Sequence, residues 1–298
     1  MNPYLLGTIA ILLWSTVAVA FRLALQKLSV LQVLSLASTT SFFVILVTLA
    51  FQNKLSQVRQ LKGKDWLQGL ILGVGNPFLY YLCLFESYKR LPTQVAQSLN
   101  FTWPLFLALG AFLFLGESIS LINLVAIFIS FLGLLTIIFQ DFGPQGELSV
   151  IGVLFALSSA LIWAGFWIFN STIKKPPLIK LFLSFLFGTP LILMATIVFD
   201  ELPNPDFQGL ALSIYIGLFE MGISFIIWLK ALEKVPRKDV LSNLSYLSPL
   251  ISLFLIQAFL GESIQMGTIL GLVLIVTGNA MPKILSLIHI SEPTRRTP

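Results

Sequence analysis

Charged residues are scarce in this chain of 298 amino acids, where Lys, Arg, Asp and Glu together make up 10% of the sequence. In a typical soluble domain, such residues make up about a quarter of the sequence. Hydrophobic residues make up 57%, and the mean hydropathy is +0.93. Because so little polar surface is available to solvate a globule, the sequence predicts a protein that resides in the lipid bilayer.

Cysteine and histidine are each represented once. Cys83 alone cannot form a disulfide framework within the chain or a cysteine-based metal site. It lies inside an apolar run, where it is expected to pack as a small hydrophobic residue. The phosphate-binding motif G-x-x-x-x-G-K-[ST] is also absent. We therefore expect no metal, no cofactor and no use of ATP.

The net charge of +5 does not indicate a nucleic-acid partner. The basic residues lie in short loops between apolar runs and form no continuous basic patch. No nucleic acid is therefore expected among the partners, which should be a small-molecule substrate and the lipid bilayer itself.

Long apolar runs fill most of the sequence. A membrane-spanning helix needs about 20 mostly apolar residues. Proline and glycine punctuate the gaps, as at Leu91-Pro92 and Pro176-Pro177. The sequence predicts an all-α membrane protein with ten transmembrane helices, at residues 3–23, 31–51, 66–85, 93–115, 119–139, 150–172, 178–199, 207–229, 239–260 and 265–285.

The distribution of Lys and Arg predicts the orientation of these spans. With alternating spans, the N-terminal side receives most of the basic residues, among them Lys54, Arg59, Lys62, Lys64, Lys174, Lys175, Lys180, Lys230 and Lys234. The opposite side receives only Arg22, Lys27, Lys89 and Arg90. Cytoplasmic loops carry the excess of positive charge. Both termini are therefore expected in the cytoplasm, with the protein in a plasma membrane such as the bacterial inner membrane.

The two halves of the chain share a series of landmarks. Pro104, Gly116-Glu117-Ser118-Ile119 and Gly133 recur as Pro249, Gly261-Glu262-Ser263-Ile264 and Gly278, at a constant offset of 145 residues. This predicts two repeats, residues 1–140 and 148–285, with five spans each. Because five is odd, the second repeat begins on the side where the first ended. The topology of the repeats is therefore predicted to be inverted, as in many secondary transporters.

The last segment, residues 286–298, is polar and does not fit the repeat. It contains His289 and ends in Thr294-Arg295-Arg296-Thr297-Pro298. This segment resembles a translated cloning or adapter sequence, and we exclude it from the prediction of the fold.

Ten spans, a five-plus-five repeat and the Gly-Glu turns at Gly116-Glu117 and Gly261-Glu262 resemble the drug/metabolite transporter superfamily, in particular its EamA branch. The resemblance covers residues 1 to about 285. It implies a secondary transporter, an exporter of small metabolites such as amino acids, with a central cavity lined by the first four helices of each repeat. It also implies that the fifth and tenth helices support the structure or contact another protomer, in a monomer or a weak homodimer.

Glu220 is the main candidate for coupling transport to protons. It lies near the middle of the eighth predicted span, in Gly217-Leu218-Phe219-Glu220-Met221-Gly222. A charge at that depth costs at least ~2.5–3.5 kcal/mol and normally faces a cavity or a partner. Such a carboxyl could carry a proton or bind a cationic group. The alternative is a structural acid that is protonated or hydrogen-bonded.

Amides and aromatic rings near the membrane midplane are candidates for lining the substrate cavity. Rings would contact an apolar part of the substrate, and amides would fix a polar end, although any single ring could equally serve helix packing. Together with Glu220, the candidates are Trp14, Asn76, Tyr80, Tyr81, Asn100, Trp103, Trp163, Trp167, Asn243 and Tyr246.

Two prolines are candidates for symmetry-related hinges. Pro104 and Pro249 fall near the middle of the fourth and ninth predicted spans, where a proline removes a backbone hydrogen bond and kinks a helix. The alternative is a fixed kink. Glu117 and Glu262, by contrast, are expected to cap the helix that follows each of them, after a glycine in the left-handed conformation.

Three other functions stay open. Efflux of multiple drugs or cationic compounds would suit Glu220, and a channel-like uniporter would need a more continuous polar path than these scattered groups provide. An intramembrane enzyme would need paired acids, a histidine cluster or a metal within the membrane. Since Glu220 stands alone, we do not expect an enzyme.

Overall fold

The computed structural model describes residues 2–116, 121–140, 149–236, 241 and 244–291, and all regular structure in these ranges is helical. Lipid offers no hydrogen-bond partners, so a spanning segment must satisfy its backbone groups internally, as a helix does. In the described ranges, eight helical segments are long and apolar enough to cross a membrane, and two shorter apolar helices, Leu247–Leu260 and Met266–Met281, follow them. The chain is a multi-pass membrane protein.

Fourteen α-helices can be delimited in the described ranges. They are α1 (Pro3–Leu25), α2 (Val30–Phe51), α3 (Leu55–Arg59), α4 (Gly63–Gly73), α5 (Tyr80–Arg90), α6 (Thr93–Asn100), α7 (Trp103–Leu115), α8 (Leu121–Gln140), α9 (Val150–Thr172), α10 (Pro177–Phe199), α11 (Phe207–Ile216), α12 (Ile223–Lys234), α13 (Leu247–Leu260) and α14 (Met266–Ser291).

Two wider helical turns interrupt the third and eighth predicted spans. The first π segment, Val74–Leu79, joins α4 to α5, and the second π segment, Gly217–Gly222, joins α11 to α12. At Asn76 the backbone leaves the helical region altogether, with φ −146° and ψ 122°. The next residue is Pro77, which has no N–H to donate and disfavours a helical conformation at the residue before it.

The fourth predicted span is divided into two helices. Phe101 and Thr102 separate α6 from α7, and Pro104 is the second residue of α7. In the first turn of a helix the missing N–H of proline needs no partner. Pro249 is likewise the third residue of α13. The expectation of prolines in the middle of continuous helices is therefore corrected: both prolines begin a helix.

The end of the chain also differs from the prediction. The last helix continues to Ser291, so the polar segment that we had set apart from the fold is helical over its first residues. In the ninth predicted span, Leu241 and Leu244 are helical, a turn follows at Ser245 and Tyr246, and α13 begins at Leu247. The predicted start at residue 239 lies outside the described residues.

The helices of one half pack mainly against helices of the other half. Helix α1 packs on α11, α12 and α13, α9 packs on α5, α6 and α7, α2 packs on α10 and α11, and α8 packs on α14. Glycines allow the closest approach between α8 and α14, since a Cβ built on Gly133 would lie 2.5 Å from the Gly271 carbonyl oxygen. Small residues permit such contacts between membrane helices.

Polar contacts join helix ends at both ends of the bundle. Lys175 donates to Asp65 over 2.8 Å at one end, which we call the Lys175 end. At the opposite end, which we call the Arg22 end, Lys27 lies 3.5 Å from Asp206 and the Ser29 hydroxyl donates to Asp200.

We expect Gly133→Ala to destabilise the protein by about 1–3 kcal/mol, because the added methyl group would overlap backbone atoms of α14 that cannot move independently. The measurement is the midpoint of thermal unfolding in detergent. Gly165→Ala is the matched control, since a Cβ there meets nothing within 4 Å. Equal unfolding midpoints for the two variants would contradict the close contact of α8 with α14.

Candidate functional site

A large cavity of about 750 Å³ lies between helices of the two halves. This volume is typical of sites for small organic molecules. Among the predicted cavity residues, those that line it are Trp14, Tyr80, Asn100, Trp103, Trp163, Trp167, Glu220 and Tyr246, and the hinge candidate Pro104 lines it as well.

The wall of the cavity differs from the one that the resemblance implied. Helices α8 and α14 contribute to it through residues such as Asn123, Ala126, Ser130 and Asn279. No residue of α2 or α10 is part of the described lining. The fifth and tenth predicted spans therefore form part of the cavity wall, while the second and seventh pack behind it.

Aromatic rings form much of the wall on two sides. Tyr80 stacks on Trp163 with ring centroids 4.4 Å apart and an interplanar angle of 24°. Trp14 lies 5.4 Å from both Phe225 and Trp228. Rings in such offset and edge-to-face pairs hold one another in place, so the cavity presents fixed aromatic surfaces.

Glu220 reaches the cavity from the second π segment. Its carboxylate Oε1 accepts a hydrogen bond from the Tyr81 hydroxyl at 3.1 Å. Its backbone carbonyl accepts one from the indole Nε1 of Trp14, also at 3.1 Å. Two residues predicted independently for the cavity thus hold Glu220 at its side chain and at its main chain.

Side chains from neighbouring helices satisfy the backbone of the second π segment. The Ser41 hydroxyl of α2 donates to the Gly217 carbonyl at 2.7 Å, and the Ser224 hydroxyl donates to the Phe219 carbonyl at 2.5 Å. Gly217 also lets α2 approach, because a Cβ there would lie 2.5 Å from the Ala37 carbonyl oxygen. The irregular turn is therefore a packed part of the structure.

Amide side chains are fixed by hydroxyl groups on facing helices. Asn100 Nδ2 donates to Ser159 Oγ at 2.8 Å, and Tyr80 donates to Asn100 Oδ1 at 3.5 Å. Ser252 donates to Gln97 Oε1 at 2.9 Å. These bonds link α6 to α9 and to α13 around the cavity.

Three predicted residues have other positions. Asn76 is buried outside the cavity lining, and its carbonyl accepts from the Ser184 hydroxyl of α10, because the break in the helix there lies against α10. The prediction that Asn76 lines the cavity is corrected. Tyr81 is fully buried behind the wall, where it contacts the lining residues Glu220 and Tyr80. Asn243 lies outside the described residues.

Sequence reasoning missed several residues of the wall, among them Gln97, Phe225, Trp228, Ser248 and Asn279. Gln97 could have been found, because it precedes Asn100 by one helical turn and lies on the same face. Phe225 and Trp228 could not, since the π segment changes which residues of α12 face the cavity.

A polar cluster lies beyond the cavity at the Arg22 end. Arg22 donates to the Tyr88 carbonyl at 2.9 Å, and its Nε lies 3.9 Å from Glu262 Oε1. Thr93 donates to the same carboxylate oxygen at 2.6 Å. We call Arg22, Tyr88, Thr93 and Glu262 the Arg22 cluster. It ties α1, α5, α6 and the end of α13 together.

The position of Glu262 corrects its expected role as a helix cap. Gly261 does adopt the left-handed conformation, with φ +66°, as does Gly116 with φ +70°. However, α14 begins only at Met266, and the Glu262 carboxylate contacts Thr93 and Arg22 of the first half. Glu117 lies outside the described residues.

The lining residues are buried towards the Arg22 end and become exposed towards the Lys175 end. Phe21 and Tyr88, whose ring centroids are 5.3 Å apart, line the cavity at this end, and the Tyr88 carbonyl belongs to the Arg22 cluster. At the Lys175 end the lining includes Ser171 and Leu232, which are close to the last residues of α9 and α12.

Comparisons with known proteins identify transporters. The sequence profile of the EamA-like transporter family matches residues 1–139 and 150–281. The uncharacterized transporter YvbV of Bacillus subtilis is 26% identical over 75% of this chain and 74% of its own length. The uncharacterized transporter YoaV of the same bacterium is 22% identical over 93% of this chain and 96% of its own length.

A third relative, an uncharacterized transporter of Clostridium kluyveri, is 24% identical over 79% of this chain and 78% of its own length. A chain of known crystal structure, 23% identical, superposes with a TM-score of 0.70 over 96% of this chain and 98% of that chain. This likeness shows that the fold is shared.

We expect Glu220→Gln to unfold at nearly the same temperature as the wild type, whereas Glu220→Ala should lose about 1–3 kcal/mol, because the buried Tyr81 hydroxyl then has no acceptor in place of the carboxylate. Thermal unfolding in detergent measures the difference. A Glu220→Ala variant as stable as Glu220→Gln would show that the contact with Tyr81 contributes little.

Proposed function

Because the chain belongs to the EamA-like transporter family of the drug/metabolite transporter superfamily, we propose that it carries a small metabolite by alternating access around the central cavity. The observation that carries this proposal is the cavity of about 750 Å³ between the two halves, which is lined by buried rings next to the Arg22 cluster and by exposed Ser171 at the Lys175 end. We infer that the Arg22 cluster holds the first of these ends closed. Transport requires a second state in which the closed end opens.

The pattern of helix contacts supports two inverted repeats of five spans. Helix α1 packs on α12 and α13 of the second half, and α9, its predicted equivalent, packs on α5 and α7 of the first half. Two further pairs, α2 with α10 and α8 with α14, join predicted equivalents directly. Reciprocal contacts of this kind are expected from a twofold relation between the halves.

Individual glycine contacts support the same relation. Gly133 meets the Gly271 carbonyl, and Gly278 would place a Cβ 2.6 Å from the Ala126 carbonyl. With the offset of 145 residues, Gly133 corresponds to Gly278 and Ala126 corresponds to Gly271. The two contacts are therefore copies of each other, as they would be if a pseudo-twofold axis passed between α8 and α14.

The two π segments lie in corresponding spans, the third of each half. Interrupted helices in corresponding positions are typical of the substrate site of secondary transporters. We infer that these segments, together with the helix breaks before Pro104 and Pro249, absorb the backbone changes of the transport cycle.

We infer the direction of transport and its coupling to protons from the positions of the charged residues. The predicted cytoplasmic termini place the Lys175 end in the cytoplasm and the Arg22 end outside the cell membrane of a bacterium. The cavity would then load from the cytoplasm, which suits an exporter. Glu220 is an acidic group in the described cavity lining that could exchange a proton during the cycle.

We expect Glu220→Gln to abolish the response of transport to a pH gradient, because an amide cannot take up or release a proton. The measurement is flux into proteoliposomes with and without an imposed gradient. The control is Glu233→Gln, which neutralises an exposed acid of α12 that is not part of the cavity lining. A pH response that persists in Glu220→Gln would exclude Glu220 as the coupling group.

We expect Glu262→Gln to open the Arg22 end more often, because it weakens the ion pair with Arg22. The opening is measured with the substitution Ala108→Cys, made in a variant whose own cysteine is removed by Cys83→Ser. Ala108 lines the cavity. Labelling by a membrane-impermeant maleimide added on the Arg22 side should increase several-fold in the Glu262→Gln variant.

Glu86→Gln is the matched control for that experiment. Glu86 also pairs with an arginine near this end, but its partner Arg90 belongs to the same helix, so the pair joins no two helices. Unchanged labelling in Glu262→Gln, or an equal increase in Glu86→Gln, would contradict the role of the Arg22 cluster in closing the cavity.

A further inference from the structure

The described lining of the cavity carries a negative charge and no positive one. Among the described residues that line it, Glu220 is the one charged side chain, and the remainder are aromatic, aliphatic or uncharged polar residues. A buried carboxylate needs either a cationic partner or a proton. An occupant with a positive group would give the Glu220 carboxylate a partner, whereas an occupant with a carboxylate would add a second negative charge.

Four hydrogen-bond donors near Glu220 have acceptors in the protein. Tyr81 donates to the Glu220 carboxylate, and Trp14 donates to the Glu220 backbone carbonyl. Asn100 donates to Ser159, and Tyr80 donates to Asn100. These four donors are directed at protein oxygens and are not available to an anion at Glu220.

The aromatic wall provides a second feature that favours a cation. The faces of Trp and Tyr rings attract a cation within about 6 Å, and the attraction strengthens when water is excluded. Trp14 and Tyr80 line the same cavity as Glu220, and the Trp14 indole N–H donates a hydrogen bond to the main-chain carbonyl of Glu220. Trp163 stacks on both Tyr80 and Phe166, so it contributes an apolar edge. A carboxylate surrounded by aromatic rings suits an ammonium group attached to an apolar body.

From this juxtaposition we propose that the cargo is a monocationic amine with an aromatic or apolar body, bound with its ammonium group at Glu220 and its body among the rings of Trp14, Tyr80 and Trp163. The inference deepens the proposed transport function and rests on it, because a bound amine is a cargo only if the protein transports it. It separates amines from zwitterionic amino acids, whose carboxylate would have no cationic partner in the described lining.

The same carboxylate would then serve the proton and the amine in turn. Protonation of Glu220 removes the charge that attracts the ammonium group, so the two occupants exclude each other. Binding of the amine should therefore weaken as the pH falls.

The test uses four small probes that share a phenylethyl body and differ in charge: phenethylamine, phenylalanine, 3-phenylpropionate and 2-phenylethanol. Binding to the purified full-length protein is followed by quenching of tryptophan fluorescence and by thermal shift. We expect phenethylamine to bind at least tenfold more tightly than the other three. Glu220→Gln should reduce that binding at least tenfold, while Glu233→Gln should retain it.

Each alternative result overturns the inference. Phenylalanine binding as tightly as phenethylamine, undiminished phenethylamine binding in Glu220→Gln, or no binding of any probe would each exclude a cation site at Glu220.

Counterflow in proteoliposomes separates this inference from the proposed function. If phenylalanine shows counterflow and phenethylamine shows none, the amine site is excluded and the proposed transport function stands. Phenethylamine binding that depends on Glu220, with no counterflow of any probe, would instead support the amine site and count against transport.

Discussion

The requirement that every backbone polar group within the bilayer finds a partner determines where this fold can be irregular. Lipid cannot hydrogen-bond to a free carbonyl, so a helix can be interrupted only where protein groups supply donors. Trp14 and Ser41 supply them to the second π segment, and Ser184 supplies one at Asn76. The interruption that brings Glu220 to the cavity therefore depends on side chains from α1 and α2.

Glu220 and Glu262 have different partners, and these partners suit the two acids to different roles. Glu220 has a phenol as its partner and borders the cavity, so its carboxylate is available to a proton or a ligand. Glu262 has an arginine and a threonine from the first half, which engage the carboxylate in holding helices together. The first arrangement suits exchange with small solutes, and the second suits a closure that must break and reform.

Much of this arrangement could be predicted from the amino-acid sequence, because hydropathy and repeats are local properties. The apolar runs located nearly all of the helices, and the isolation of Glu220 in one of them identified a residue that lines the cavity. The breaks could not be placed, since a π segment inserts one residue into a turn and rotates every following side chain, as for Phe225 and Trp228. The partners of Glu262 lie in the other half of the chain and leave no trace in its own segment.

The close contact of α8 with α14 restricts how the two halves can move. Gly133 and Gly271 leave no space for either helix to advance, and separation would expose the carbonyls and small residues that now meet. A rotation about the contact would keep these atoms together, and the contact would then act as a pivot. Wall residues close to the pivot, such as Ala126 and Gly278, would be displaced least in such a rotation, whereas residues far from it, such as Arg22 and Glu262, would travel the greatest distance.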